Sequence, residues 1–330
     1  MENFDHLTTL PGTAQEQAWL KERLETLSVR EGYALTAALT QSPPESMGGA
    51  IDLCCSLDDY EICNAGSYEQ LGRLCLMGYR LPKEVLPHVD LCRLGEKYEE
   101  EHLGLFVGDN FVVYPCENHI LHRKPGAPLP EDNDWSVKLK LASSSRPEGV
   151  WIRLPDFGPT EEPLALKELG VGKVGDCTLL EARCILPEAG NLLEQYDNAE
   201  ELMTDGENLG CILTEQGQGM PHYMERLAAA LEYEDCHTLR FLLDISQNLQ
   251  CYEWLPCGDL DAFAEKHLRS CGVPEELIQS DCIDLKSYAG DLLDQASYVL
   301  TRDESAYVAR NSREFTYEFS DPPQPGMTLE

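Results

Sequence analysis

Residues 51–62 read IDLCCSLDDYEI, and residues 243–254 read LDISQNLQCYEW. Asp52 falls on Asp244, Leu57 on Leu249 and Tyr60-Glu61 on Tyr252-Glu253, an offset of 192 residues throughout. The same offset carries Pro82 onto Pro274 and Glu84 onto Glu276. A slip to 194 then carries Asp90-Leu91 onto Asp284-Leu285 and Asp109 onto Asp303. Upstream, Glu22-Arg23-Leu24 matches Glu225-Arg226-Leu227 at 203, which puts eleven extra residues in the first copy, around the loop TQSPPESMGG (40–49). Self-similarity that keeps its order and spacing is the mark of a duplicated structural unit. The copies run over about 20–114 and 223–308.

Each copy reads as several helices closed by a short β-hairpin. In DLDAFAEKHLRS (259–270), Leu260, Phe263, Ala264 and Leu268 recur at helical spacing. Asp259 can cap that helix, and Gly272 and Pro274 end it. In DLKSYAGDLLDQA (284–296), Leu285, Tyr288, Ala289 and Leu292 share one face. SYVLT (297–301) and SAYVA (305–309) then flank a short turn, as LGLFV and NFVVY flank Gly108-Asp109 in the first copy. Between the copies, WSVKLKLAS (135–143) and GVWIRLP (149–155) alternate as strands do, and CTLLEARCIL (177–186) can be a third. A helix is predicted over 187–203 and a strand or edge over GCILTE (210–215). The expected fold is α+β and elongated: mostly helical tandem modules, each ending in a hairpin, with a small α/β portion between. Its parts are an acidic helical module (1–115), a Pro-rich linker (116–134), the α/β portion (135–219), a second acidic module (220–310) and a flexible tail (311–330).

The 330 residues hold 59 Asp and Glu against 25 Lys and Arg, a formal net charge of −34. With 42% hydrophobic residues spread along the chain, a disordered acidic protein is excluded. So is a protein that grips nucleic acid through a basic surface. Residues 1–115 hold 19 acids and 8 bases, 116–170 hold 9 and 7, and 171–330 hold 31 and 10. The charge therefore belongs to the helical modules, where folded backbone fixes its spacing. Asp284, Asp291 and Asp294 fall within about a quadrant of one helix, opposite its apolar face. Glu96, Glu99, Glu100 and Glu101 make a denser group. With Asp58, Asp59, Glu61, Asp244, Glu253, Asp259, Asp261, Glu265, Glu275 and Glu276, these are the candidate partner-binding carboxylates. Solubility alone asks for a net charge of magnitude about 2–8 in a small domain. A larger excess destabilises the compact state by self-repulsion, and a cationic partner surface offsets that cost. Duplex DNA carries one charge per roughly 1.7 Å of axis, so 34 charges correspond to about 58 Å of duplex.

No other motif points to chemistry. The 14 cysteines include no Cys-x-x-Cys, and the start MENFDHLTTLPG has neither a basic nor an apolar leader segment, so reduced thiols in a cytoplasmic protein are expected. No window reaches the roughly 18 apolar residues of a membrane span. Gly170-Val-Gly172-Lys-Val-Gly175 matches a dinucleotide fingerprint in letters, but a helix precedes it and a strand follows, the reverse of the required order. His119-x-x-His122 near Cys116 has no second ligand pair at zinc spacing. Carboxylate pairs are too many to nominate an acid/base couple, and neither a Gly-x-Ser-x-Gly elbow nor an EF-hand loop occurs. No enzyme, cofactor or metal is expected.

The stretch from about Gly149 to Arg310 resembles the ArdA antirestriction proteins. The likeness is carried by GVWIRLP, by the acidic middle LLDISQNLQCYEWLP, and by the ending DLKSYAGDLLDQASYVLTRDESAYVAR. The first half, ending RLGEKYEEEHLGLFVGDNFVVYP, is similar to a partial second copy. The resemblance implies an elongated, acidic DNA mimic from a conjugative element, usually a homodimer. Such proteins inhibit type I restriction–modification enzymes by occupying the DNA groove of the methyltransferase core, without binding nucleic acid or membrane themselves. Its alternative is an accessory protein of a conjugative element that binds another basic, DNA-processing protein. ArdA proteins are normally a single module of about half this length. Here, moreover, Lys97 stands where the second copy has Asp291, so the first copy does not repeat the second's acidic stripe.

Overall fold

The computed structural model describes residues 4–115, 128–130, 135–158, 160–217, 221–280 and 282–322. The chain divides into two units, Met1–Glu181 and Ala182–Glu330. In the first, helices α1 (Ala14–Glu25), α2 (Val29–Gln41) and α3 (Met47–Cys54) precede strand β1 (Glu61–Cys63). Helices α4 (Tyr68–Met77) and α5 (Leu91–Glu101) follow, then the hairpin β2 (Gly104–Val107) and β3 (Asn110–Val113). Strands β4 (Val137–Ala142) and β5 (Val150–Leu154), helix α6 (Glu161–Leu169) and strand β6 (Thr178–Cys184) lead into the second unit. That unit runs α7 (Pro187–Leu193), α8 (Ala199–Gly217), α9 (Tyr223–Tyr233), α10 (Leu239–Gln247), β7 (Tyr252–Pro256) and α11 (Leu260–Ser270). It closes with α12 (Glu275–Ile278), α13 (Leu285–Gln295), β8 (Val299–Leu300) and β9 (Ala306–Arg310). The described residues are 52% helix and 14% strand, with three antiparallel three-stranded sheets, so the fold is α+β as expected.

The duplication is built into the helix caps. Ser46 accepts a hydrogen bond from the Gly49 amide at the start of α3, and Thr238 accepts one from the Phe241 amide at the start of α10. Asp90 caps α5 through the Arg93 amide, and Asp284 caps α13 through the Ser287 amide. An oxygen at this position satisfies an amide that the first helical turn leaves open. The sheets repeat too, in the orders β1-β3-β2 and β7-β9-β8. Ile62 pairs with Val112 and Val112 with Leu105; in the second copy Trp254 pairs with Val308 and Val308 with Val299. The eleven-residue insertion, however, is absent. Leu35, Ala37 and Ala38 are buried on α2, and Leu227, Ala229 and Ala230 are buried on α9, again 192 residues apart. The constant offset therefore reaches back through α2, and the match at 203 sets α1 wrongly against α9.

The two copies close a helix pair in the same way, with different tightness. A Cβ added at Gly72 on α4 would stand 1.9 Å from the Leu91 carbonyl oxygen, and one at Gly95 on α5 would stand 2.1 Å from that of Tyr68. The helices touch backbone to backbone, which only glycine permits. The second copy has Ala264 on α11 and Ala289 on α13 at these places, both fully buried.

Several local expectations are corrected. The predicted helix 187–203 is broken at 194–198 between α7 and α8, and the GCILTE segment lies inside α8. Each hairpin gains a third strand, β1 or β7, where an acidic helical stretch was expected. Gly170 ends α6 at φ 68° and starts a loop, as the order of elements around the glycines required. Of the linker, only 128–130 are described; Trp19 Nε1 donates to the Pro130 carbonyl at 3.0 Å. His119 and His122 lie outside the described residues.

Candidate partner-binding carboxylates

The structure sorts the candidate carboxylates by what their oxygens already touch. Asp244 is not a surface group. It is fully buried on α10 and accepts from the amides of Glu318 (2.7 Å), Phe319 (3.0 Å) and Ser320 (2.9 Å) and from the Ser320 hydroxyl (2.5 Å). Asn248, one turn on, donates to the Thr316 carbonyl at 2.8 Å and accepts from its amide at 3.1 Å. Phe315 and Tyr317 pack against Phe241. The described part of the expected flexible tail is thus a strap fastened to α10. Residues 323–330 lie outside the described residues.

Asp58 is neutralised within the first unit. Arg153 donates to its two oxygens at 2.9 and 3.0 Å, and Arg30 donates at 3.0 Å. The same Arg153 reaches the buried Glu31 at 2.7 Å, and Arg23 donates to Glu31 at 2.5 Å. Burial alone would raise the Glu31 pKa, but Arg23 and Arg153 together hold the carboxyl well below the usual range. Gln250 stands at the place of Asp58 in the second copy, so this ion cluster is not repeated.

Other candidates have local partners. Arg93 bonds Glu96 and Glu100, Lys97 pairs with Glu101 at 3.5 Å, and the Tyr68 hydroxyl donates to Glu99 at 2.6 Å. The Tyr298 hydroxyl donates to Glu253. Arg269 bonds both Glu265 and Glu275 at 2.8–2.9 Å, which holds the Glu275 carboxyl below its ordinary pKa. The dense group on α5 is therefore largely offset by its own arginine and lysine.

What remains exposed and without an ion pair among the described residues is Asp59, Glu61, Asp259, Asp261, Glu276, Asp284, Asp291 and Asp294. Six of these eight lie in the second copy. On α13 the buried residues are Ala289 and Leu293, with Leu285, Tyr288 and Leu292 half-buried, which leaves Asp291 and Asp294 facing outward. Ala264 of α11 and Ala289 and Leu293 of α13 share one apolar cluster, so these carboxylates ride on a fixed helix pair.

The sequence reading missed one acidic feature. Glu188, Glu225, Glu232, Asp235 and Asp303 line an open cleft of about 600 Å³ in the second unit, together with His237 and Arg302. Glu232 accepts from the Arg302 amide at 2.7 Å, and Asp235 bonds His237 at 3.0 Å. These residues come from three separate stretches of chain, around 188, 225–237 and 301–305, so no spacing in the sequence announces them.

Among the described residues, no group of three or more His, Cys, Asp or Glu side chains is placed to hold a metal ion, and no helix is long and apolar enough to cross a membrane. Comparison with known proteins found no matching family model, no matching curated protein and no matching solved structure.

Proposed function

We propose that this protein is a DNA-mimic antirestriction protein, which inhibits a type I restriction–modification enzyme by occupying the groove that the enzyme keeps for DNA. The observation that carries the reading is the set of unneutralised carboxylates on α11–α13: Asp259, Asp261, Glu276, Asp284, Asp291 and Asp294. A packed helix pair holds them at fixed spacing, as a duplex holds phosphates and a mobile acidic tail does not. A DNA groove is lined with Lys and Arg already placed for such charges. Binding there releases counterions, so it is strong at low salt and weakens as salt rises. Inhibition is by occupancy, one protein per groove, with no bond made or broken.

The test is competition. Purified protein should displace labelled duplex from a type I enzyme stoichiometrically, and should protect unmodified DNA entering a restricting host. The triple variant Asp284→Lys, Asp291→Lys, Asp294→Lys should lose at least tenfold in inhibition, about 1.4 kcal/mol or more. Reversing Glu314 and Asp321 on the strap should change it far less. Protein that neither displaces DNA nor protects it would refute the proposal.

A further inference from the structure

The two copies treat the corner after the first helix of their paired helices differently. After α4 every residue from 77 to 88 is exposed. The exposed side chains there include Leu74 and Met77 at the end of α4 and Tyr79, Leu81, Val85 and Leu86 in the loop beyond, with Met77 at 82%. Isolated exposed apolar residues need no explanation, but a run of six large ones is the mark of an interaction surface.

The duplicated unit shows what chemistry covers such a corner. Near the end of α11, Arg269 bonds Glu275 of α12 at 2.8–2.9 Å. Ile278, three residues after Glu275, is buried at 3% exposure. An acid and an aliphatic side chain at that spacing share one helix face, and here they seal the end of α11 together. The first copy has Met77 and Lys83 where the second has Arg269 and Glu275, so the clamp is missing. Leu86, at the place of Ile278, is 43% exposed. The first copy's loop is also two residues shorter from Glu84 to Asp90 than the second's from Glu276 to Asp284, and it carries Pro87. No α-helix stands there at the place of α12.

Local charge selects the occupant. Arg73 and Arg93, before and after the loop, pair with Glu69 and Glu96, whereas Arg80 and Lys83 have no ion pair among the described residues. Glu84 is the one acid from 77 to 89. In a chain of net charge −34, this apolar patch is thus rimmed by net positive charge. A basic partner is drawn to the acidic faces and not to this one. The anionic surface of a bilayer repels a chain of this charge. A second copy of the chain has no α12 to offer, because its own Glu275 and Ile278 are already engaged. We infer that the corner after α4 docks a segment of another protein that supplies what α12 supplies in the second copy, an apolar helix face flanked by carboxylates. Its aliphatic side chains pack on Met77 and Leu86, and its carboxylates meet Arg80 and Lys83. This is helix-in-groove recognition with a charged rim.

Two labelled amphipathic peptides test this on the full chain by fluorescence anisotropy. Both carry leucine on one helix face, with glutamate elsewhere in one and lysine elsewhere in the other. At about 150 mM salt the Debye length of roughly 8 Å screens repulsion from distant acidic faces. The glutamate peptide should then bind saturably, with a dissociation constant of about 100 μM or less. Met77→Arg with Lys83→Glu transplants the second copy's clamp; it should keep the melting temperature and raise the dissociation constant at least tenfold. Arg80→Glu with Lys83→Glu should do the same through exposed charge alone. Leu277→Glu, exposed at the matching corner of the second copy, should change nothing. The lysine peptide, drawn to the acidic faces, should not distinguish the clamp variant from wild type. A glutamate peptide that fails to bind, or that binds both double variants as it binds wild type, would overturn the inference. So would a loop that captures phosphatidylglycerol vesicles instead, or one that sedimentation shows buried between two copies. Any of these failures leaves the groove reading standing, since that reading uses carboxylates of the other copy and is tested with duplex DNA.

Discussion

Glu161, at the start of α6, and Glu31 share one buried neighbourhood and respond to it in opposite ways. Burial pushes the Glu161 carboxyl up to about 8; the nearby Glu31 carboxylate adds to the shift, while the Ser28 hydroxyl and Arg153 oppose it. One Glu161 oxygen accepts from Ser28 Oγ at 2.8 Å, and the other has no hydrogen-bond partner among the described residues. An unfolded glutamate titrates near 4.3. Between about 4.3 and 8 the folded protein therefore holds a proton that the unfolded chain has lost. The contribution is full below about 4.3 and is lost as pH rises through 8, at about 1.4 kcal/mol per pH unit for one proton. Glu161→Gln should flatten that slope, read from urea midpoints at a series of pH values. Glu31 has the opposite sign: its lowered pKa stabilises the fold above the ordinary carboxylate range, and the contribution is lost on acidification. Asp244 gives a second prediction at this scale. Hydrogen bonds to an ionised acceptor contribute about 1.5–3 kcal/mol. Asp244→Ala should therefore lower stability by several kcal/mol and raise the exchange rate of the Glu318, Phe319 and Ser320 amides, measured by hydrogen exchange. None of this was readable in the sequence. Ser28 and Glu161 are 133 residues apart, and Asp244 and Ser320 are 76 apart.

At the scale of elements, what was legible depended on length and period. Helices α11 and α13 announced themselves by apolar spacing and the hairpins by alternation around a turn; Asp284 caps α13 as its place suggests, whereas Asp259 stands at the start of α11 and its side chain makes no capping hydrogen bond. Strand β1, three residues long, is too short to show alternation, and the repeated Tyr-Glu, which leads into β1 and starts β7, reads equally well as helix. GCILTE is a short apolar run, which periodicity alone cannot assign, and α8 absorbed it. The duplication was legible because caps and core residues were kept together, yet its register upstream failed on a three-letter match. The α4–α5 crossing supplies a test. Gly72→Ala or Gly95→Ala forces a methyl into a carbonyl oxygen and should cost about 1–3 kcal/mol by overpacking. Ala264→Gly, at the wider α11–α13 crossing, should cost about 1 kcal/mol, mainly through helix propensity. Thermal unfolding of the variants compares the two, and equal costs would contradict the difference in closeness.

Over the whole molecule the charge was legible as a number and not as a surface. Counting assigned the acidity to both helical modules, but much of the first copy's is offset by its own Arg30, Arg93 and Lys97 and by Arg153 on β5, while six candidate carboxylates of the second stay unpaired among the described residues. A net −34 should still work against folding at low ionic strength. Raising salt from about 10 to 150 mM shortens the Debye length from roughly 30 to 8 Å. The melting temperature should rise with that change, and calorimetry at the two concentrations reads it directly. A protein whose ion pairs outweighed its self-repulsion would show the reverse.

The strap on α10 also sets an order of events during synthesis. A ribosome adds about 5–20 residues per second, and domains fold as they emerge. Asp244 and the last of its amide donors are 76 residues apart, so at that pace about 4–15 s separate them. Through that interval the nascent second unit carries a carboxylate whose burial has no compensation, and the face of α10 around it stays wet. The first copy has its hairpin in hand by Val113, but its buried Glu31 and its Asp58 wait likewise, meeting Arg153 only 122 and 95 residues on. The unit that carries most of the unpaired acid is also the one that matures last, held open to chaperones and proteases until Ser320 has been made.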